Sequence, residues 1–161
     1  MGNIFAASEV VELGIQIEKN GRDFYQRLTQ QTDNTKARDI FQFLGKEEEK
    51  HILAFEGILS RLQQYQPQEA YPGEYFAYMK SLSEEYVFTQ KATGEKLARL
   101  TKTDKEAVEK GIGFEKSSIT FYEGMIKLVP PYEQKVIDEL IAQEQEHLRQ
   151  LSELKNALRG V

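Results

Sequence analysis

The chain is 161 residues long, enough for one domain with its own core, and its 40% hydrophobic and 29% charged content excludes a disordered or fibrous polypeptide. A net charge of −5 argues against a nucleic-acid partner, and no run approaches the roughly 20 apolar residues of a membrane helix. The absence of cysteine excludes disulfides, thiolate zinc sites and a thiol nucleophile; with no export signal evident at residues 1–5, a cytoplasmic location is expected.

Helical periodicity dominates, with almost no strand-like alternation. Ser8 is placed to cap a first helix running to about residue 31, whose stripe reads Val11, Gly14/Ile15, Glu18, Gly21, Tyr25 and Leu28. The turn Thr32-Asp33-Asn34-Thr35 leads into a second helix over about 36–65, with Ala37, Phe41, Leu44, Glu48, His51, Phe55, Leu59 and Leu62 on one face. Two helices joined so briefly should lie antiparallel. Pro67, Pro72 and Gly73 break the pattern, and the aromatic-rich stretch that follows (Tyr75, Phe76, Tyr78, Tyr86, Phe88) reads as a crossover with one or two shorter helices. Thr103-Asp104-Lys105-Glu106 is a capping box opening a third long helix to about 129, with Val108, Gly111/Ile112, Glu115, Ser118/Ile119, Tyr122 and Met125/Ile126 inward. After Pro130-Pro131 a fourth helix runs to about 158 through Ile137, Leu140, Glu144, His147/Leu148, Leu151 and Leu154. The expectation is one all-α domain over residues 1–161, a four-helix bundle of two helix pairs (8–65 and 104–159) joined by a long crossover (66–103).

The two pairs are repeats. Gly14-Ile15-Gln16-Ile17-Glu18-Lys19 matches Gly111-Ile112-Gly113-Phe114-Glu115-Lys116, and Phe24-Tyr25 matches Phe121-Tyr122, at an offset of 97. Leu44 to His51 matches Leu140 to His147 at an offset of 96. Packed about a pseudo-twofold axis, the copies bring Glu18, Glu48, His51, Glu115, Glu144 and His147 together. Glu and His three residues apart share a helical face, and Glu18 and Glu115 lie on apolar stripes. The chain's only two histidines both stand three residues after a glutamate. Four ionised carboxylates inside a bundle would each carry a desolvation cost of several kcal/mol. Two divalent cations bring +4 against their −4, and neutral imidazoles complete an oxygen and nitrogen donor set that suits iron or manganese better than a structural zinc.

These residues resemble the ferritin-like di-iron carboxylate superfamily and, within it, the rubrerythrin diiron-domain family. The phrases Phe41-x-x-Leu44-x-x-Glu47-Glu48-Glu49-Lys50-His51 and Gly14-x-x-x-Glu18-x-x-x-x-x-x-Tyr25 carry the likeness, which covers the four long helices and is vague over about 66–103. It implies two iron ions, with Glu18 and Glu115 as terminal carboxylates, Glu48 and Glu144 bridging, and His51 and His147 capping one iron each; manganese or a mixed pair also fits the donors. It further implies an oxidoreductase that reduces hydrogen peroxide or dioxygen. Full rubrerythrins carry a rubredoxin domain with a four-cysteine iron, so in this cysteine-free chain electrons are expected from an external donor such as a rubredoxin-type protein. Rubrerythrins also have a further glutamate three residues after the third-helix ligand, used in a redox-linked ligand exchange; here that position is Ser118.

Tyr25 and Tyr122 lie seven residues after Glu18 and Glu115, hence on the same face, where each either orients a carboxylate or supplies a proton to a reduced oxygen species, or is simply core. Gly21 and Ser118, three residues after the outer glutamates, either leave an open coordination face or allow close packing. Lys46-Glu47, Glu49-Lys50 and Glu84-Glu85 read as solvated faces. A homodimer is expected, and the long crossover would permit helix exchange between protomers. Competing readings are iron sequestration of the ferroxidase type without peroxidase turnover, and a structural bundle with a relict site.

Overall fold

The computed structural model describes residues 7–62 and 73–159. Among these residues six helices follow in order: α1 Ala7–Gln31, α2 Thr35–Leu62, α3 Gly73–Glu85, α4 Thr93–Leu100, α5 Asp104–Ile126 and α6 Pro131–Leu158, with a 3-10 turn at Val87–Thr89 and no strand. The four long helices close an all-α, ferritin-like bundle within one chain: α1 lies along α2, α5 along α6, and the pairs meet through α1–α5 and α2–α6. At 25 and 28 residues, α1 and α2 are about 37 and 42 Å long. Among the described residues no helix is long and apolar enough to cross a membrane.

Local chemistry sets the boundaries. Asn34 caps α2, its Oδ1 accepting from the Ala37 amide at 2.9 Å, and Thr103 caps α5, its Oγ1 accepting from the Glu106 amide at 3.1 Å. The box closes one residue further out than its pattern implies, because Glu106 Oε2 accepts from the Lys102 amide at 3.0 Å. Ser8 is not a cap: α1 already includes Ala7, so the serine sits inside the first turn. The third long helix stops at Ile126 rather than 129: the Leu128 amide donates to the Met125 carbonyl at 2.9 Å, tightening the chain into a turn, and Val129 precedes Pro130, which disfavours helical geometry there. Residues 63–65 of the expected second helix and the breakers Pro67 and Pro72 lie outside the described residues.

The stripes face inward as their period requires. Val11, Tyr25, Ala37, Phe41, Leu44, Phe55, Val108, Tyr122, Met125, Ile137, Leu151 and Leu154 are completely buried. On α2, Ile58 takes the fully buried place and Leu59 is only partly covered.

The crossover folds back on its own bundle. Asn20, fully buried on α1, donates through Nδ2 to the carbonyls of Phe88 and Gln90, both at 2.6 Å, and accepts from the Gly94 amide at 3.2 Å. Gly94 lets α4 touch the α1 backbone: a Cβ there would lie 2.6 Å from the Asn20 carbonyl carbon. On the other side, Tyr75 donates to the Gly124 carbonyl, pinning α3 to α5.

Candidate metal centre

Glu18 from α1, Glu48 and His51 from α2, Glu115 from α5, and Glu144 and His147 from α6 meet in the bundle's centre. The four glutamates are completely buried, and His51 and His147 are 1% and 2% exposed. Their donor atoms form two overlapping groups, Glu18–Glu48–His51–Glu144 and Glu48–Glu115–Glu144–His147, each with atoms within 4.8 Å of one another. Glu48 and Glu144 belong to both groups, and each group comprises three carboxylates and one imidazole.

Both histidines turn Nδ1 toward the acids. His51 Nδ1 lies 2.9 Å from Glu144 Oε1, 3.5 Å from Glu18 Oε2 and 3.9 Å from Glu48 Oε2. His147 Nδ1 lies 3.1 Å from Glu144 Oε2, 3.6 Å from Glu48 Oε1 and 3.8 Å from Glu115 Oε1. The two rings stack at 5.5 Å, 17° from parallel. The tyrosines cross between halves. Tyr25 on α1 donates to Glu115 Oε1 at 2.8 Å, and Tyr122 on α5 donates to Glu18 Oε1 at 2.5 Å. Gly111 lies beside the first, and the tight neighbour of a Cβ there would be Leu151 Cδ1 at 3.2 Å, with the Tyr25 hydroxyl at an ordinary contact distance of 3.4 Å.

Glu18 Oε2, both oxygens of Glu48 and Glu115 Oε2 are buried with no hydrogen-bond partner. A buried polar atom left unpaired costs about 1–3 kcal/mol, more when charged, and bound cations would offset that cost for all four. Oxygen-rich positions with one imidazole each fit a pair of divalent iron or manganese ions.

The same crowding governs protonation. Burial pushes Glu48 well above the carboxylate range and Glu144 beside it adds to this. Glu115 is raised well above the usual value by burial and by Glu144, and Glu144 is raised to about 7 by burial and by Glu18. Burial also opposes charge on Glu18 and His51, but their mutual attraction prevails, holding Glu18 near about 2 and lifting His51 to about 12. His147 is lowered by burial. Tyr25 and Tyr122 are pushed well above 10 by burial and then by Glu115 and Glu18 respectively, so both keep their protons.

Several neighbours are invisible to periodicity. Gln143 Oε1 sits 2.7 Å from His51 Nε2, on the side of the ring away from the acids that Nδ1 faces. Tyr86, from the crossover, lies 2.9 Å from Ser118 Oγ and donates to the Phe114 carbonyl at 3.0 Å, so the position three residues after Glu115 is covered by a phenol. Gly21 serves packing: a Cβ there would be 2.9 Å from Phe114 Cε1. Glu47 belongs less to a solvated face than its charge implied, its side chain being 15% exposed. Lys46 and Glu49 are exposed.

Neither a curated protein nor a solved structure matches the chain. The model of the Rubrerythrin family matches residues 9–155, a span that includes all six centre residues and both tyrosines. With that match over nearly its whole length and a paired carboxylate–histidine centre in a helical bundle, this chain belongs to the Rubrerythrin family.

Proposed function

We propose that the chain is a diiron-carboxylate oxidoreductase that reduces hydrogen peroxide or dioxygen with electrons from an external donor. The observation that carries this reading is the set of four unpaired, buried carboxylate oxygens arranged with two inward-facing imidazoles around two positions that share Glu48 and Glu144. Glu18, Glu48, His51 and Glu144 would hold one iron, and Glu48, Glu115, Glu144 and His147 the other. Two ferrous ions held there supply Lewis acidity and the two electrons that reduction of peroxide to two waters consumes, alongside two protons.

The protein's own groups do the rest. Tyr25 and Tyr122 each direct an O–H at one oxygen of an outer glutamate, which fixes that carboxylate and keeps a proton at the hydroxyl, one hydrogen bond from the centre. Phe114 against Gly21 and Phe55 tilted over Tyr122 at 5.0 Å keep bulk water away from these protons.

The test is stopped-flow mixing of anaerobically iron-loaded, reduced protein with peroxide or dioxygen. Rapid oxidation with two electrons removed per chain is expected; a spectrum unchanged by both oxidants contradicts the proposal. The Tyr86–Ser118 pairing favours a second reading, because it puts a phenol and not a carboxylate beside the third-helix ligand: ferrous oxidation for sequestration without repeated turnover. That reading predicts many irons per chain in a large assembly, whereas two per chain in a small oligomer contradicts it.

A further inference from the structure

The repeat that equates His51 with His147 also equates position 47 with 143, 43 with 139 and 50 with 146, and at these outer places the halves differ in charge. Beside His51 stands a neutral amide, with Gln143 Oε1 2.7 Å from Nε2. The groove beside them is lined also by Glu47 and Lys50 and by Glu139, which is exposed to water. On the other half the corresponding residue is an acid. A Glu47 carboxylate oxygen lies within 4.8 Å of a ring nitrogen of both histidines, and Lys50 Nζ holds Glu47 Oε1 at 2.8 Å. Because the outward nitrogen of His51 is engaged by Gln143, and none of the described residues hydrogen-bonds that of His147, the charge of Glu47 bears on His147. Phe43, edge-on to the His147 ring at 6.1 Å, takes the place that Glu139 holds on the other half.

An imidazole whose outer nitrogen faces a carboxylate is a stronger metal donor than one facing an amide, and such outer partners change metal affinity by about 10- to 100-fold. We propose that the two metal positions are unequal, that the one capped by His147 fills first, and that Glu47 is the positioning residue that sets the order. This rests on the two-metal reading of the centre. It also gives the pair a sense of direction, the His147 side being the more electron-rich.

The test is anomalous diffraction from crystals of the full chain given one equivalent of Mn2+ and, separately, saturating Mn2+. At one equivalent the position beside His147 and Glu115 should hold at least about ten times the occupancy of the position beside His51 and Glu18. Exchanging the outer groups in Glu47→Gln/Gln143→Glu, which alters neither size nor net charge, should move the preference to the His51 side. Glu47→Gln alone should bring the two occupancies together. Equal occupancy in the unaltered chain, or a preference that stays on the His147 side in both variants, overturns the proposal. Absence of Mn2+ from both positions at saturation overturns instead the two-metal reading beneath it.

Discussion

Removing metal from this protein should destabilise it by an amount that depends steeply on pH. With free divalent metal two orders of magnitude above Kd, each position contributes about 2.7 kcal/mol, so the pair gives about 5 kcal/mol. For a chain of 161 residues that is a rise in Tm of about 10–20 °C. Protons compete for the same oxygens. Glu144, raised to about 7, must be deprotonated to bind; between pH 7.5 and 5.5 this acid alone weakens affinity about 25-fold, or about 2 kcal/mol. Glu48, Glu115 and His51, all raised, act in the same direction. The chelated protein should show the opposite slope. The elevated Glu144 contributes stability that is complete below pH 4.5 and lost as pH rises through about 7. Differential scanning calorimetry with Mn2+ or with chelator, at pH 5.5 and 7.5, reads all four corners. A metal-induced rise in Tm that is absent at pH 7.5, or equal at the two pH values, refutes the reasoning.

Other perturbations test individual parts. Tyr25→Phe removes the donor to Glu115 Oε1 and should cost about 1–2 kcal/mol in the chelated protein while leaving two metals bound, as denaturant melts and elemental analysis would show. Asn20→Ala leaves the Phe88 and Gln90 carbonyls and the Gly94 amide without their partner and should cost about 2–4 kcal/mol, measured by urea denaturation, without lowering metal content. Ala92, at φ 62°, holds a left-handed conformation just before α4; Ala92→Gly should stabilise by about 0.5–1 kcal/mol, whereas the same change inside a helix would destabilise.

The bundle and the centre are legible in the sequence for the same reason. Glu18, Glu48, His51, Glu115, Glu144 and His147 occupy positions where a 3.6-residue period requires apolar side chains, and the repeat predicts that they meet. What period cannot show is a partner that arrives from an unphased segment. Asn20 joins α1 to backbone 68–74 residues away, and Tyr86 reaches Ser118 from a crossover whose aromatics do not follow one face. Gln143 looks like any exposed helical residue until the opposing helix places His51 beside it. The end of α5 misled because Leu128 and Val129 are buried and extend the apolar stripe past the point where the chain turns into Pro130.

Iron content tests the buried centre most directly. Protein reconstituted anaerobically with ferrous iron and desalted should retain two irons per chain, and the variant Glu48→Gln/Glu144→Gln, which neutralises both shared carboxylates, should retain none. Two irons kept by that variant, or none by the unaltered chain, would contradict the assignment of the buried acids as the cradle of a metal pair.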